Sequence, residues 1–484
     1  MNHDRLLQYI RGRRCEILGL GVSNLPLARV LCDLGVSLTV RDKKPIEDLP
    51  GAAELSARGV CFITGENAFD ELSGELIFRS PGIRPDRGGL ADAVRRGAEL
   101  TSEIELFLTL TDAETFAVTG SDGKTTSTTL TGKFLTAEAE RTKCGTVLVG
   151  GNIGAPLLDR LPQTSANDRA VMELSSFQLM TVKDAPKYSA ITNLSPNHLD
   201  WHTGMDEYLE AKKHIIGEST LRFVTNAECE VTARLAEEVM ANRKNDTPAV
   251  YLFSSKRTSF SEIFPNGAGA NDRALYEKNG MILLSNGIEE IPLLSLADIQ
   301  IPGRHNVENF MTAIALTYGR VDPSVYPEVA KSFFGVEHRL EKVRALGGVD
   351  YYNSSIDSSP TRTAAALSAL RGRDIVVICG GYDKKIPFEP LAEALCATVR
   401  AVVLTGQTGE KIEAVLRAHP DYREGKPEIY RAPEFYDAVV TAKNAAKAGG
   451  CVLLSPACAS FDAFKNFAER GNTFRTIVQA FENE

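Results

Sequence analysis

Short β-branched and aliphatic runs, each closed by Gly, Ser or Pro and followed by helical periodicity, recur along the chain. That alternation predicts an α/β architecture with largely parallel sheets. The runs fall into three blocks. In the first, CEILGLG at 15–21 leads into NLPLARVLCDLG, then VSLTVRD ends at Asp42, and ELIF runs into Ser80, Pro81 and Gly82. The second opens with TFAVTG at 115–120, turns through a glycine loop into TTSTTLTGKFL, and continues with RAVMEL at 169–174 and YSAITNL at 188–194. In the third, after GVEHRLEKV at 335–343, VDYYNSS, DIVVICGG, RAVVLTG and GGCVLLSP each lead toward a helical segment. Residues 240–300 read as a mixed peripheral sheet without chemistry of their own. The expected division is a Rossmann-like N-terminal domain over 1–105, a central parallel sheet of P-loop ATPase type over 106–335, and a Rossmann-like C-terminal domain over 336–484.

Length agrees with this division, because 484 residues at about 150 per domain make roughly three. With 43% hydrophobic and 24% charged residues, collagen-like, mucin-like and largely disordered readings are excluded. The 54 basic and 63 acidic residues leave a net charge of −9, so there is no global footprint for nucleic acid, and any bound anion must be met by a local site. The nine cysteines are scattered without a C-x-x-C pair and read as reduced core thiols of a cytoplasmic protein. The N-terminus lacks a signal peptide's apolar region, and no run of 18 apolar residues occurs, so neither export nor a membrane partner is expected.

The strongest chemical signal is TGSDGKTT at 119–126, where an apolar strand turns into a helix. Helix-terminal N–H groups around Gly120, Ser121, Asp122 and Gly123 suit a polyphosphate. Lys124 reaches its outer oxygens, Thr125 is placed for Mg²⁺, and Thr126 continues the turn. The spacing departs from the usual eight-residue phosphate loop, since its first glycine would fall at Val118. Glu173 ends a neighbouring strand and could supply a carboxylate to the same metal. In NLSPNHLD at 193–200, His198 and Asp200 follow another strand end, where open α/β sheets bind ligands. Gly19, Gly21 and Asp42 imitate a dinucleotide fingerprint, but its third glycine is Asn24, which disfavours an NAD-linked oxidoreductase.

These strings, with GGNIGAP at 150–156, ELSSFQL at 173–179, YLEAKK at 208–213, GRHNVEN at 303–309, EHRLE at 337–341, GGYDKK at 380–385 and LLSPACASFDAFKNFAERG at 453–471, resemble the Mur ligase family over nearly the whole chain. The last string is similar to the branch that adds D-glutamate. The resemblance implies an ATP-dependent amide ligase that joins D-glutamate to UDP-MurNAc-L-Ala through an acyl phosphate in peptidoglycan precursor synthesis, acting as a monomer on small molecules. Another Mur ligase, a folylpolyglutamate synthase, and a nucleotide-binding regulator without ligase chemistry are the alternatives.

By the same resemblance Lys124, Glu173, His198 and Lys212 are catalytic. Two Mg²⁺ sites are implied, one held by Thr125 and Glu173, the other by His198 and a carbamylated Lys212, with Lys213 a competing candidate. Asn306, Asn309 and Arg339 join the phosphate loop in holding ATP. Ser23, Asp42, Ser80, Gly82 and Asn152 contact the UDP substrate. His338, Lys384, Ser460, Phe461 and Phe467 receive D-glutamate. At 353–361 the chain departs from the family's usual string: Ser354 and Ile356 replace an acid and a lysine, and Asp357 and Ser358 are candidates for a displaced carboxylate and a hydroxyl.

Overall fold

Each block of alternating strand and helix closes into its own sheet in the computed structural model, which describes residues 2–21, 23–198 and 201–482. The first sheet is β1 (Cys15–Leu18), β2 (Leu38–Asp42), β3 (Cys61–Thr64), β4 (Leu76–Arg79) and β5 (Glu99–Thr101). They are all parallel in the order β3-β2-β1-β4-β5. The chain reverses direction across the sheet beside β1, and the loops following β1, β2 and β4 therefore open onto one crevice.

The second sheet has nine strands: β6 (Glu114–Thr119), β7 (Val147–Gly151), β8 (Arg169–Glu173), β9 (Tyr188–Ile191), β10 (Arg222–Asn226), β11 (Ala249–Ser254), β12 (Arg273–Lys278), β13 (Met281–Ser285) and β14 (Glu290–Ser295). Their order is β14-β13-β12-β11-β10-β9-β6-β8-β7. Pairing is parallel from β7 to β12 and antiparallel through β13 and β14, so the mixed sheet expected over 240–300 is present at this edge. β6 is buried along nearly its whole length, as a central parallel strand covered on both faces must be. Its following helix, Lys124–Thr142, packs against helix Arg304–Thr317. Phe134 is the hub: its ring centroid lies 6.3 Å from that of Phe310 and 5.0 Å from that of Tyr326. Truncating such a side chain costs about 3–5 kcal/mol.

The third sheet contains β15 (Glu341–Leu346), β16 (Val349–Asn353), β17 (Ile375–Gly380), β18 (Ala401–Thr405), β19 (Glu428–Arg431) and β20 (Cys451–Leu454), ordered β15-β16-β20-β17-β18-β19. Only the β15–β16 hairpin is antiparallel.

By contacts the chain divides into two units, Met1–Asp298 with Arg304–Val329, and Ile299–Gly303 with Ala330–Glu484. The first unit holds the first two sheets over a shared apolar core that runs from Leu6 and Ile17 to Phe223 and Leu252. The second unit holds the third sheet between two apolar layers, one around Leu391 and Leu416, the other around Val439 and Phe474. No described helix is long and apolar enough to cross a membrane. The core-thiol expectation holds for Cys15, Cys379, Cys451 and Cys458. It fails for Cys61, on the edge strand β3 where no residue is buried, and for Cys144, just beyond the end of helix Lys124–Thr142; both are exposed.

Candidate active site

The phosphate loop occupies the point where the second sheet reverses its strand order, between β8 and β9, at the end of β6. Gly120 and Gly123 take φ of 145° and 79°, backbone that side chains rarely adopt. At Gly123 a Cβ would also run into Asn309 Oδ1. The segment after β9 braces the loop. Ser121 N–H donates to Asn193 O, Asp122 N–H to Asn193 Oδ1 (both 2.9 Å), and Thr192 Oγ1 donates to Asp122 O at 2.6 Å. The amides of Ser121 and Asp122, expected to cradle phosphate, are thus committed to Asn193. The first-turn N–H groups of helix Lys124–Thr142, which an α-helix cannot pair internally, are the backbone donors at this loop that could meet an anion. Lys124 Nζ folds back onto Gly120 O and Ser121 O, each at 2.9 Å.

Glu173 ends β8 opposite Val118 and is 2% exposed. Its Oε2 accepts Thr125 Oγ1–H and its Oε1 accepts Asn152 Nδ2–H, both at 2.7 Å. Asn152, expected against the UDP substrate, donates to Glu173 in this structure. Among the described residues no three His, Cys, Asp or Glu gather as a metal cage. A hydroxyl beside one carboxylate is nevertheless a hard-oxygen pair of the kind Mg²⁺ takes, with phosphate and water filling its other positions.

Lys212, on helix Met205–Lys213, is 1% exposed. Its Nζ donates to Thr119 Oγ1 and Gly120 O at 3.0 Å each and lies 4.7 Å from the centre of the Tyr208 ring. Burial, and then the nearby Lys124 charge, hold its pKa well below the ordinary lysine value. Lys213 is different. Despite some desolvation, Glu210 and Glu238, 3.0 and 3.1 Å away, keep it protonated with a raised pKa. Lys124, Thr125, Glu173 and Lys212 therefore gather at one loop. His198 is exposed at φ 55°, its ring edge-on to Phe177 at 4.9 Å. Asp200 lies outside the described residues.

Asn306 and Asn309 buttress this loop. Asn309 Nδ2 donates to Asn306 Oδ1 at 3.0 Å, and its Oδ1 accepts Ser127 Oγ–H at 3.3 Å. At the first sheet's crevice, Asp42 accepts Leu20 N–H at 2.8 Å and Lys44 N–H at 3.0 Å, so both carboxylate oxygens are engaged by backbone. Asn24 replaces the fingerprint glycine and donates to Gly19 O at 2.9 Å. Ser23 and Ser80 are half-buried at the crevice, and the carbonyl of exposed Gly82 accepts Trp201 Nε1–H at 3.2 Å.

In the second unit the loops after β17 and β20 flank that sheet's own reversal. Lys384 is exposed, with Nζ 3.3 Å from Ser358 Oγ. Ser460 is buried, Phe461 is 64% exposed beside the Tyr382 ring, and Phe467 meets the His338 ring edge-on at 5.9 Å. Arg339 is exposed. His338, expected to touch D-glutamate, is buried with Nδ1 3.0 Å from Asn353 Nδ2, and burial lowers its pKa. Asp357, the candidate for a displaced carboxylate, is buried, which raises its pKa, and accepts Ser455 Oγ–H at 2.8 Å.

Sequence reading missed two features. Arg470, 2% exposed and with its pKa pushed down to about 10 by burial, donates to Ser355 O, Cys458 O and Ala459 O and so fixes the loop carrying Ser460. The second is a polar chain of Arg84, Glu207, His202 and Ser176. His202 lies only four residues beyond His198, and that was the one available signal.

The Mur ligase middle-domain pattern matches residues 118–317, and the Mur ligase glutamate-ligase-domain pattern matches 338–458. The UDP-N-acetylmuramoylalanine–D-glutamate ligase of Ruminiclostridium cellulolyticum is 42% identical over 97% of both chains. The enzyme of that name from Acetivibrio thermocellus is 41% identical over 98% of this chain and 97% of its own. Among solved structures, the UDP-N-acetylmuramate-alanine ligase of Thermotoga maritima shares the fold at a TM-score of 0.54 and 19% identity, covering 97% of this chain and 99% of that one.

Proposed function

We infer, from a chain that belongs to the Mur ligase family, that this enzyme adds D-glutamate to UDP-N-acetylmuramoyl-L-alanine at the expense of ATP in peptidoglycan precursor synthesis. The amino-acid assignment is supported by relatives about 40% identical along their whole length that carry this activity in their names. The observation that carries the chemistry is the convergence of Lys124, Thr125, Glu173 and Lys212 on the Gly120 loop.

The terminal carboxylate of the substrate attacks the γ-phosphorus of ATP and releases ADP. The amine of D-glutamate then attacks the resulting acyl phosphate, and inorganic phosphate leaves from a tetrahedral intermediate. Phosphoryl transfer to an anion needs charge neutralisation and positioning more than covalent help. Lys124 supplies part of it by exchanging the Gly120 and Ser121 carbonyls for phosphate oxygens. Mg²⁺ held by Thr125 and Glu173 would neutralise the β- and γ-phosphate charge. Lys212 is suited to carbamylation because its buried amine favours the free base. CO₂ adds to that nitrogen, a proton departs, and a cation that would repel metal becomes an anionic oxygen donor. With His198 it would complete a second Mg²⁺ site. Lys384, Ser460 and the backbone beside Phe461 receive the amino acid, whose two carboxylates call for a cation and hydroxyl donors.

The test is phosphate release from ATP and Mg²⁺ with UDP-N-acetylmuramoyl-L-alanine and each of several amino acids. Release that depends on D-glutamate is expected. Equal release with L-alanine or meso-diaminopimelate would reject the amino-acid assignment.

A further inference from the structure

A continuous line of contacts within the first unit, exposed at Gly82 and buried at Arg84, His202, Tyr208 and Ser121, joins the loop after β4 to the phosphate loop after β6. At its start, Trp201 Nε1 donates to Gly82 O at 3.2 Å. Arg84 stacks over the Trp201 ring at 4.9 Å and donates to Trp201 O at 2.7 Å. Its other terminal nitrogen donates to Glu207 Oε1, also at 2.7 Å. Glu207 Oε2 accepts Thr203 N–H at 2.8 Å and faces His202 Nδ1 at 3.1 Å. A carboxylate can only accept, so the proton sits on Nδ1 and Nε2 accepts from Ser176 Oγ at 2.9 Å. Ser176 opens the short helix that follows Glu173. The His202 ring lies edge-on to Tyr208, 5.3 Å between centres. Tyr208 OH meets Ser121 Oγ at 3.1 Å, and Lys212, one helical turn further on, sits over the Tyr208 ring. Arg84, His202, Tyr208 and Ser121 are all less than 10% exposed.

A line of contacts is not by itself a coupling. Two features give this one leverage. Gly82 is exposed at the first sheet's crevice, so a ligand there meets the same loop that Trp201 grips. Glu207 lies in the first turn of the helix that carries both Tyr208 and Lys212, so a shift at Arg84 is delivered to the whole helix. We propose that Arg84, Glu207 and His202 are positioning residues that couple the two substrate sites: occupancy of the crevice by the UDP-linked substrate sets the helix bearing Tyr208 and Lys212 and thereby tightens ATP at the phosphate loop. The proposal rests on the substrate assignment above and adds to it a thermodynamic linkage, which must be reciprocal.

The full-length chain is titrated by calorimetry with the β,γ-imido analogue of ATP plus Mg²⁺, with and without saturating UDP-N-acetylmuramoyl-L-alanine, and then in the reverse order. The unsubstituted protein should show each ligand improving the other's Kd by the same factor, at least about fivefold, the low end of ordinary coupling. The His202 ring stacks on Phe177, 5.6 Å between centres, so His202→Phe keeps that contact but loses both polar ones, and Glu207→Gln keeps the shape but loses the charge. In each the factor should fall toward one while the Kd for the first ligand alone changes little. A role confined to stability would lower the unfolding temperature and leave the factor unchanged. If one variant does not fold, the other decides. Trp201 is the only tryptophan, so its emission gives a second readout: the ATP analogue should shift it in the unsubstituted protein and not in Tyr208→Phe. Binding of both ligands with a factor of one, or a factor that survives both substitutions, overturns the coupling alone. Failure to bind either ligand overturns the functional reading instead.

Discussion

Replacing Lys212 by Met separates stability from chemistry. The substitution keeps the length and most of the volume of the side chain and removes only the amine, a kind of swap that cores tolerate well. The lost interactions are the hydrogen bonds to Thr119 Oγ1 and Gly120 O, each worth about 0.5–1.5 kcal/mol net. Against that stands the cost of burying a polar amine at 1% exposure, about 1–3 kcal/mol by comparison with other proteins. Gly120 O also keeps its hydrogen bond from Lys124. The two sides cancel to within about 2 kcal/mol, which for units of this size moves the unfolding temperature by no more than about 8 °C. Turnover should behave quite differently. Removing a group that organises charge around the transferring phosphoryl costs about 10²–10³ in kcat. Thermal unfolding and phosphate release on the same preparation measure both quantities. The reasoning is refuted if kcat stays within tenfold of the unsubstituted enzyme, or if activity falls only in step with a large loss of stability.

Gly123→Ala forces a left-handed backbone onto a residue with a Cβ, at about 1–2 kcal/mol, and pushes that Cβ into Asn309 Oδ1. KM for ATP should rise about tenfold or more with KM for D-glutamate unchanged, and a parallel rise in both would contradict the loop's assignment. Glu105 has a carboxylate oxygen that is buried without a hydrogen-bond partner among the described residues, and burial pushes its pKa up to about 7. The folded state thus holds the proton more tightly than the unfolded one, so the favourable contribution is complete below pH 4.5 and is lost as the pH rises through 7. Glu105→Gln should therefore gain up to about 3 kcal/mol relative to the unsubstituted protein between pH 5 and pH 8, read from urea unfolding, and a pH-independent difference would sink the argument. Lys384→Ala should raise KM for D-glutamate about tenfold or more while leaving the Kd for the ATP analogue within about twofold, because a charged hydrogen bond to a carboxylate is worth about 1.5–3 kcal/mol. An unchanged KM would remove Lys384 from the amino-acid site.

What the sequence disclosed was chemistry confined to short contiguous strings at strand ends. TGSDGKTT and ELSSFQL put Lys124 and Glu173 at strand ends where the sheet order reverses, so both could be named before any geometry was known, whereas Lys212, on a helix, was named only through the resemblance of YLEAKK to the Mur ligases, with Lys213 in competition. Side chains whose role depends on distant partners were not legible. Arg84 and Glu207 meet across 123 residues, and nothing in DEYLEAKK says that the first of its two glutamates is already claimed. For the same reason the sequence did not show that Asp42 accepts from Leu20 and Lys44 N–H and that His338 Nδ1 meets Asn353 within the protein. Nor did the sequence show that Asn309, expected to help hold ATP, accepts a hydrogen bond from Ser127 and lies against Gly123. Strands β7 and β19 also escaped the pattern: each lies at a sheet edge, where half-exposed residues do not give the continuous apolar run of a central parallel strand.

The central claim is that the Gly120 loop serves to phosphorylate a carboxylate. It is tested most directly by isotope transfer: UDP-N-acetylmuramoyl-L-alanine labelled with ¹⁸O in both terminal carboxylate oxygens is turned over with ATP, Mg²⁺ and D-glutamate, and the released phosphate is analysed by mass spectrometry. Activation through an acyl phosphate predicts one ¹⁸O in each phosphate and one retained in the new amide. Amide formed with unlabelled phosphate would contradict the account.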